Sequence, residues 1–172
     1  MKKQDLNTNE YNDYIAGYIN KVDDNVELIQ GYEDDQKMIV NFFTAVPENK
    51  LLYCYETGKW SVKEVFQHII DTERIFIYRL LRIARNDQTA LPGYDQDVYI
   101  KPSGANEKSL DALVTEFKFT RAQSLNILES LSNENLHKMG TVSGSPISAR
   151  ACAFLLLGHS IWHIEVLKNR YL

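Results

Sequence analysis

The chain contains little cysteine, no cluster of basic residues and no long apolar run. The two cysteines, Cys54 and Cys152, form neither a disulfide framework nor a CxxC motif. The 19 Lys and Arg residues are interspersed among 23 Asp and Glu residues, which gives a formal net charge of -4. A nucleic-acid-binding protein needs clustered positive charge, so we expect no nucleic-acid partner.

The most apolar stretch, residues 149–157, is much shorter than the ~20 residues that a membrane span needs. Two lysines near the N-terminus are not followed by the apolar segment of a signal peptide. We therefore expect a reduced, cytoplasmic protein with no membrane partner. A chain of 172 residues with 44% hydrophobic residues is long enough for one well-buried core.

Apolar side chains recur at spacings of three and four in four segments, as they do in amphipathic helices. In the clearest segment, Ser61 and Glu64 have the spacing of a capping box, and we expect the helix to end near Arg85. The other three helices are expected to begin near Asn25, Ser109 and Ser148. No segment alternates with period two over a length that predicts a strand.

Four amphipathic helices joined by loops predict an all-α fold, a four-helix bundle formed by residues 25–172. Apolar and tyrosine residues of the same period within residues 1–24 indicate an N-terminal extension with a short extra helix. The segment 86–102 is too long for a simple helical hairpin turn. Loops of this length are commonly functional, or they cross over the bundle.

Three of the four histidines have positions that suit a metal site. His159 and His163 are four residues apart, so their side chains lie on one face of the last helix, which also carries apolar residues. His68 lies two turns into the second helix, and with that pair it would give three nitrogen ligands and an open coordination position. A histidine on an apolar face is also commonly a hydrogen-bonded core residue, so spacing alone leaves both interpretations open. His137 lacks such a context and is expected at the surface.

Two stretches of the sequence resemble a known family. The stretch KWSVKEVFQHIIDTERIFIYRLLRIARND, followed by LPGYDQDVYI, looks like the second helix and following loop of proteins of the DinB-like superfamily. The ending GHSIWHIEVLKNRYL looks like their last helix, and the resemblance extends from about Asn25 to Leu172. It implies a DinB-like four-helix bundle that holds one divalent metal ion through a histidine triad. Position by position, the triad corresponds to His68, His159 and His163.

The resemblance also implies a function, because characterised members include transferases that use low-molecular-weight thiols, and others are described as metal-dependent hydrolases. We expect one zinc or nickel ion, since imidazole ligands suit both. A low-molecular-weight thiol as cofactor, a small-molecule substrate and a homodimer are further expectations from the resemblance. The alternative is a non-catalytic metal-binding or stress-associated bundle protein, because the sequence contains no clearly placed general base.

Two carboxylates are candidates for a catalytic base. Glu73 lies within the apolar stripe of the second helix, where a buried charge must be paired, either with an arginine such as Arg150 or near the metal. Asp95 lies in the loop after that helix together with Tyr94. The loop is expected to cover the site and to supply a proton acceptor, with a solvated turn as the alternative. Gln67, Asp71 and Thr72 neighbour His68 in sequence and are candidates to orient its ring.

Overall fold

The computed structural model describes all residues from Met1 to Leu172, with seven α-helices and one two-stranded sheet. The helices are α1 (Asp13–Ile19), α2 (Leu28–Thr44), α3 (Val62–Ala84), α4 (Gln96–Ile100), α5 (Leu110–Glu129), α6 (Asn133–Leu136) and α7 (Ala149–Arg170). The strands are β1 (Met139–Val142) and β2 (Ser145–Ser148). Short 3-10 turns lie at Lys3–Asp5, Thr8–Glu10, Glu48–Lys50 and Lys101–Ser103.

The four long helices form the bundle that the sequence predicts. Helix α3 packs against α5 and α7, and α2 packs against the same two helices, so α2 and α3 lie diagonally across the bundle. No helix is both long and apolar enough to span a membrane. The predicted all-α four-helix bundle is therefore confirmed.

The buried apolar residues form two clusters along the bundle axis. The first contains the C-terminal half of α3, the N-terminal half of α7 and apolar residues of α1. The second contains the N-terminal half of α3, the C-terminal half of α7 and residues of α2 and α5. Between the two clusters, α3 and α7 carry buried polar side chains, which include Glu73, His159 and Ser160. The middle of the bundle is therefore a polar layer.

Side-chain caps fix where three of the long helices begin. Ser61 accepts a hydrogen bond from the Glu64 amide, and Glu64 accepts one from the Ser61 amide, which confirms the capping box at α3. Ser109 and Ser148 cap α5 and α7 as predicted, each through its side chain, which accepts from the amide of Ala112 or Ala151 without a capping box. Helix α2 differs from the prediction, because Asn25 lies in a turn and the helix begins after Glu27, which has no side-chain cap.

A short antiparallel hairpin was not expected from the sequence. Strands β1 and β2 pair from Met139 with Ser148 to Val142 with Ser145. They are joined by Ser143 and Gly144, which both have positive φ, 52° and 80°, as a two-residue hairpin turn requires. Each strand has only four residues, which is too short for a period-two pattern to be recognised.

The expected short N-terminal helix is α1, and it packs against α7. The contact is close at Gly158, where an added Cβ atom would lie 2.0 Å from the Tyr18 carbonyl oxygen. Ile15 and Ile19 are buried in the same apolar cluster as the first half of α7. Residues before position 25 therefore contribute to the same core as the domain predicted for 25–172. This contact also brings Tyr18 next to His159.

Candidate metal centre

Three histidine side chains meet where α3 and α7 pack together. The Nε2 atom of His159 lies 3.1 Å from the Nε2 atom of His68 and 3.1 Å from that of His163. All three residues are buried, and their candidate ligand atoms lie within 4.8 Å of one another. No other group of three or more His, Cys, Asp or Glu side chains comes together in this way. The structure thus brings together the three histidines that the sequence singled out.

The donor set fits a divalent ion. Imidazole nitrogens bind zinc at about 2.0–2.1 Å, so tetrahedral ligands of one ion lie roughly 3.3 Å apart, close to the spacing of these Nε2 atoms. Burial lowers the pKa of His68 to about 4. Burial, and then repulsion from a neighbouring imidazolium, lowers the pKa of His159 and His163 well below the usual range. At neutral pH the three imidazoles are therefore uncharged, which is the protonation state that metal binding needs.

Each of the three imidazoles contacts a different aromatic ring. The ring centroids are 4.7 Å apart for Trp60 and His68, and 4.6 Å apart for Trp162 and His163. Tyr18 of α1 lies 5.4 Å from His159. The sequence did not indicate Tyr18 or Trp60 at the site, because they lie outside the two helices that carry the histidines.

The loop after α3 reaches the site through Tyr94. The Tyr94 hydroxyl lies 3.1 Å from the Thr72 hydroxyl, which is 3.5 Å from Nε2 of His68. Of the three sequence neighbours expected to orient His68, only Thr72 contacts it. Gln67 instead donates a hydrogen bond to Asp71 at 3.0 Å.

Asp95 has a different environment from Tyr94. Its side chain is exposed and accepts hydrogen bonds from the amides of Asp97 and Val98, at 2.9 Å and 3.2 Å, so that it caps α4. It is not among the residues that line the cavity beside the histidines. The structure therefore places Asp95 in the solvated turn that was the alternative in the sequence analysis.

Glu73 is buried in the polar layer. One carboxylate oxygen accepts hydrogen bonds from Nε of Arg121 at 2.8 Å and from the Ser124 hydroxyl at 2.7 Å. The other accepts one from Nη2 of Arg121 at 2.9 Å. The expected partner, Arg150, pairs with Glu10 instead. The predicted pairing of Glu73 with Arg150 is therefore wrong. The packing of α5 against α3 brings Arg121 to Glu73, and no local pattern in the sequence indicates that contact.

A cavity of about 280 Å³ opens beside the histidines, with His68 and His159 in its wall. Side chains of α1, α3, α7, the hairpin and the loop that contains Tyr94 line it, but none of these residues is an aspartate or a glutamate. Two other potential ligand side chains, those of His137 and Cys152, lie outside the histidine group. His137 is exposed, and Cys152 is buried with its thiol pKa raised to about 12 by that burial.

Residues 32–167 match the family model of the DinB superfamily. The chain belongs to the DinB superfamily. No curated protein matches it.

Two solved structures have a similar fold. YfiT from Bacillus subtilis, described as a probable metal-dependent hydrolase with an unusual four-helix bundle topology, aligns with a TM-score of 0.73 and 16% identity. That alignment covers 87% of this chain and 92% of YfiT. A mycothiol-dependent maleylpyruvate isomerase aligns with a TM-score of 0.65 and 12% identity, over 96% of this chain and 62% of that protein. At these identities the likeness establishes the DinB fold only.

Proposed function

We propose that this DinB-superfamily protein is a metal-dependent enzyme that acts on a small molecule. His68, His159 and His163 would hold one divalent ion, with zinc and nickel as the metals that suit imidazole best. The observation that carries the proposal is the convergence of three buried Nε2 atoms beside a cavity. A bound ion would supply a Lewis acid that lowers the pKa of a thiol or of water.

Thiol transfer is the reaction class that the surroundings of the site favour over hydrolysis. A hydrolase commonly needs a carboxylate or a histidine as general base. No carboxylate lines the cavity, the oxygens of Glu73 are occupied by Arg121 and Ser124, and Asp95 caps α4. The role of Glu73 or Asp95 as a general base remains a prediction. These contacts do not support it. A thiol needs no such base once its pKa is lowered.

In this proposal the protein itself orients and shields the reacting groups. Tyr94 and Thr72 form a hydrogen-bonded pair next to His68, and so they fix the edge of the cavity on that side. Trp60 and Trp162 cover two of the imidazoles and limit the access of water to them. Tyr18 contacts the third imidazole, His159.

Metal analysis of the purified protein tests the binding site. We expect close to one divalent ion per chain, and loss of stoichiometric binding in His159→Ala and in His163→Ala. His137→Ala is the matched control, because His137 is exposed and lies outside the group. Loss of the ion in His137→Ala, or full retention in His163→Ala, would show that the assigned ligands are wrong.

A thiol-transfer assay separates the enzyme from a non-catalytic metal-binding protein. With cysteine as the thiol and monobromobimane as the electrophile, we expect conjugation above the uncatalysed rate. The excess should disappear after treatment with a chelator and return when the metal is added back. A stoichiometric metal content without any metal-dependent acceleration for a panel of thiols would favour the non-catalytic alternative.

A further inference from the structure

Arg79 of α3 lies in the wall of the cavity that contains His68 and His159. Its side chain is 4% exposed and stacks on the ring of Phe76, with 4.6 Å between the guanidinium carbon and the ring centroid. Its single hydrogen bond within the chain goes from Nη2 to the carbonyl oxygen of Pro92, at 2.7 Å. No fully buried side-chain nitrogen lacks a partner, so Nε and Nη1 of Arg79 have accessible surface. Besides the cavity, Arg79 borders an outer groove that it forms with Tyr78, Arg82 and Tyr99.

The two other buried arginines have carboxylate partners. Arg121 pairs with Glu73 and Asp35, and Arg150 pairs with Glu10. Arg79 forms no ion pair, although burial of an unpaired charge is costly and burial lowers the pKa of its guanidinium. An anion-binding site needs a buried cation that no carboxylate of the protein neutralises, and Arg79 is such a cation.

Arg79 is also the one formally charged side chain of the cavity, because its wall contains no lysine, aspartate, glutamate or second arginine. One guanidinium can balance one negative charge, and its planar donors match the two oxygens of a carboxylate. A phosphate would bring close to two charges to a single guanidinium, since the rest of the wall consists of uncharged aromatic, aliphatic, hydroxyl, amide and imidazole groups. The chemistry of the wall therefore favours a monoanion.

Arg79 is separated from His68 by three turns of α3, or about 16 Å along the helix axis. The guanidinium stacks on Phe76, which is about two turns from His68, so an anion that it held would lie closer than this but still apart from the histidines. Between them the wall is formed by Thr72, Phe76 and Tyr94. A ligand that reaches both ends must be elongated and partly apolar in its middle.

We propose that Arg79 binds the carboxylate of an elongated, singly charged substrate whose opposite end reaches the histidines. The inference rests on the proposed function for the role of the histidines, but the anion site itself needs no metal. It adds a substrate class to that function, namely small organic monocarboxylates.

Binding of benzoate to the metal-free protein tests the site directly. NMR titrations in EDTA at pH 8, where histidine is neutral, should show benzoate binding more tightly than its neutral analogue benzamide. Backbone amide signals of Tyr94, Ser143 and Ser145 should shift. Phenyl phosphate should bind no more tightly than benzoate, and tighter binding of phenyl phosphate would replace the carboxylate assignment with a phosphate.

Two variants locate the anion. Arg79→Gln should weaken benzoate binding about 10–100-fold, because a charge-assisted hydrogen bond is lost. Arg82→Gln is the control on the same helix, since Arg82 pairs with Asp87 and borders an outer groove instead of the cavity. Equal loss in both variants would overturn the proposal.

Shift mapping on the wild type keeps the test decisive if Arg79→Gln fails to fold. Signals that move only around Tyr78 and Arg82 would place the anion in the outer groove and refute the site. If benzoate binds in EDTA but the purified protein takes up no stoichiometric divalent ion when metal is supplied, the Arg79 site stands and the proposed enzyme is refuted instead.

Discussion

His159 is the central residue of the site, because its Nε2 atom is 3.1 Å from each of the other two Nε2 atoms. The three imidazoles have no carboxylate among their contacts, and their burial keeps them uncharged at neutral pH. Glu10 is a contrast, because hydrogen bonding and ion pairing with Arg150 outweigh its burial and lower its pKa to about 2.

The stability of the metal-free protein should fall as the pH is lowered from about 6.5. Below pH 6.5 the unfolded chain takes up protons on histidine, whereas folded His68 does so only near its pKa of about 4. A depressed folded-state pKa means that the stability contributed by neutral His68 is complete above 6.5 and is lost between 6.5 and 4, by about 1.4 kcal/mol per pH unit. Urea unfolding between pH 7 and pH 5 measures this loss.

Two histidine variants serve as references for that measurement. His68→Asn should flatten the pH profile, because one buried imidazole is removed. His137→Asn should leave the profile unchanged, since His137 is exposed. A wild-type profile that is level between pH 6.5 and pH 5 would contradict the inferred neutrality of the cluster.

At the level of single elements, the cap of α3 is bonded both to its own helix and to the segment before α5. The Ser61 hydroxyl accepts from the Glu64 amide at 3.1 Å and donates to Oδ1 of Asn106 at 2.6 Å, and the residue is 2% exposed. Ser109 makes the same capping bond at the start of α5, but it is exposed. The two serines form a matched pair for substitution.

Ser61→Ala should lower the free energy of unfolding by about 0.5–2 kcal/mol through the lost cap. Ser109→Ala should cost less, because water can replace the lost bond at an exposed position. Metal content should not change in Ser61→Ala, since His68 lies two turns further along α3. Chemical denaturation and metal analysis of both variants check this, and equal stability of Ser61→Ala and wild type would contradict the role of the cap.

The sequence predicted elements well where the signal is local. The Ser61–Glu64 pair and the His159–His163 spacing lie within single helices, so periodicity and capping rules were sufficient to place them. The strands of the hairpin have four residues each, which is too few for a period-two signal, and Asn25 lies in a turn two residues before Glu27, after which α2 begins.

The surroundings of the site needed the tertiary structure. Tyr18 and Arg121 reach their positions through the packing of α1 on α7 and of α5 on α3. Such contacts join residues far apart in the chain, and helix periodicity indicates only that a face is buried, not which side chain it meets. For the same reason the sequence identified Glu73 as a buried carboxylate but not its partner.

For the whole molecule, the polar layer between the two apolar clusters concentrates buried charge. Arg121 is 1% exposed and donates to Asp35 at 2.8 Å as well as to Glu73 and to the Tyr32 carbonyl oxygen. It therefore joins α2, α3 and α5 at the level where apolar packing is interrupted. Ser160 of α7 also donates to Asp35, at 2.5 Å, so all four long helices meet in this network.

Arg121→Met should destabilise the protein by about 3–5 kcal/mol, because Asp35 and Glu73 would stay buried without their counter-charge. Arg74→Met is the comparison, since Arg74 pairs with Glu116 at a half-exposed position where an ion pair contributes about 0–1 kcal/mol. Thermal and urea unfolding measure both. Similar losses in the two variants would show that the buried network is not what holds the helices together.

Trp60 and Trp162 are the only two tryptophans of the chain, and each contacts one of the three clustered imidazoles. All of the tryptophan fluorescence of the protein therefore comes from two rings that contact the candidate ligands. Occupancy and protonation of the cluster can be followed optically, without a label, in the unmodified protein. Substituting one tryptophan at a time then separates the signal beside His68 from the signal beside His163.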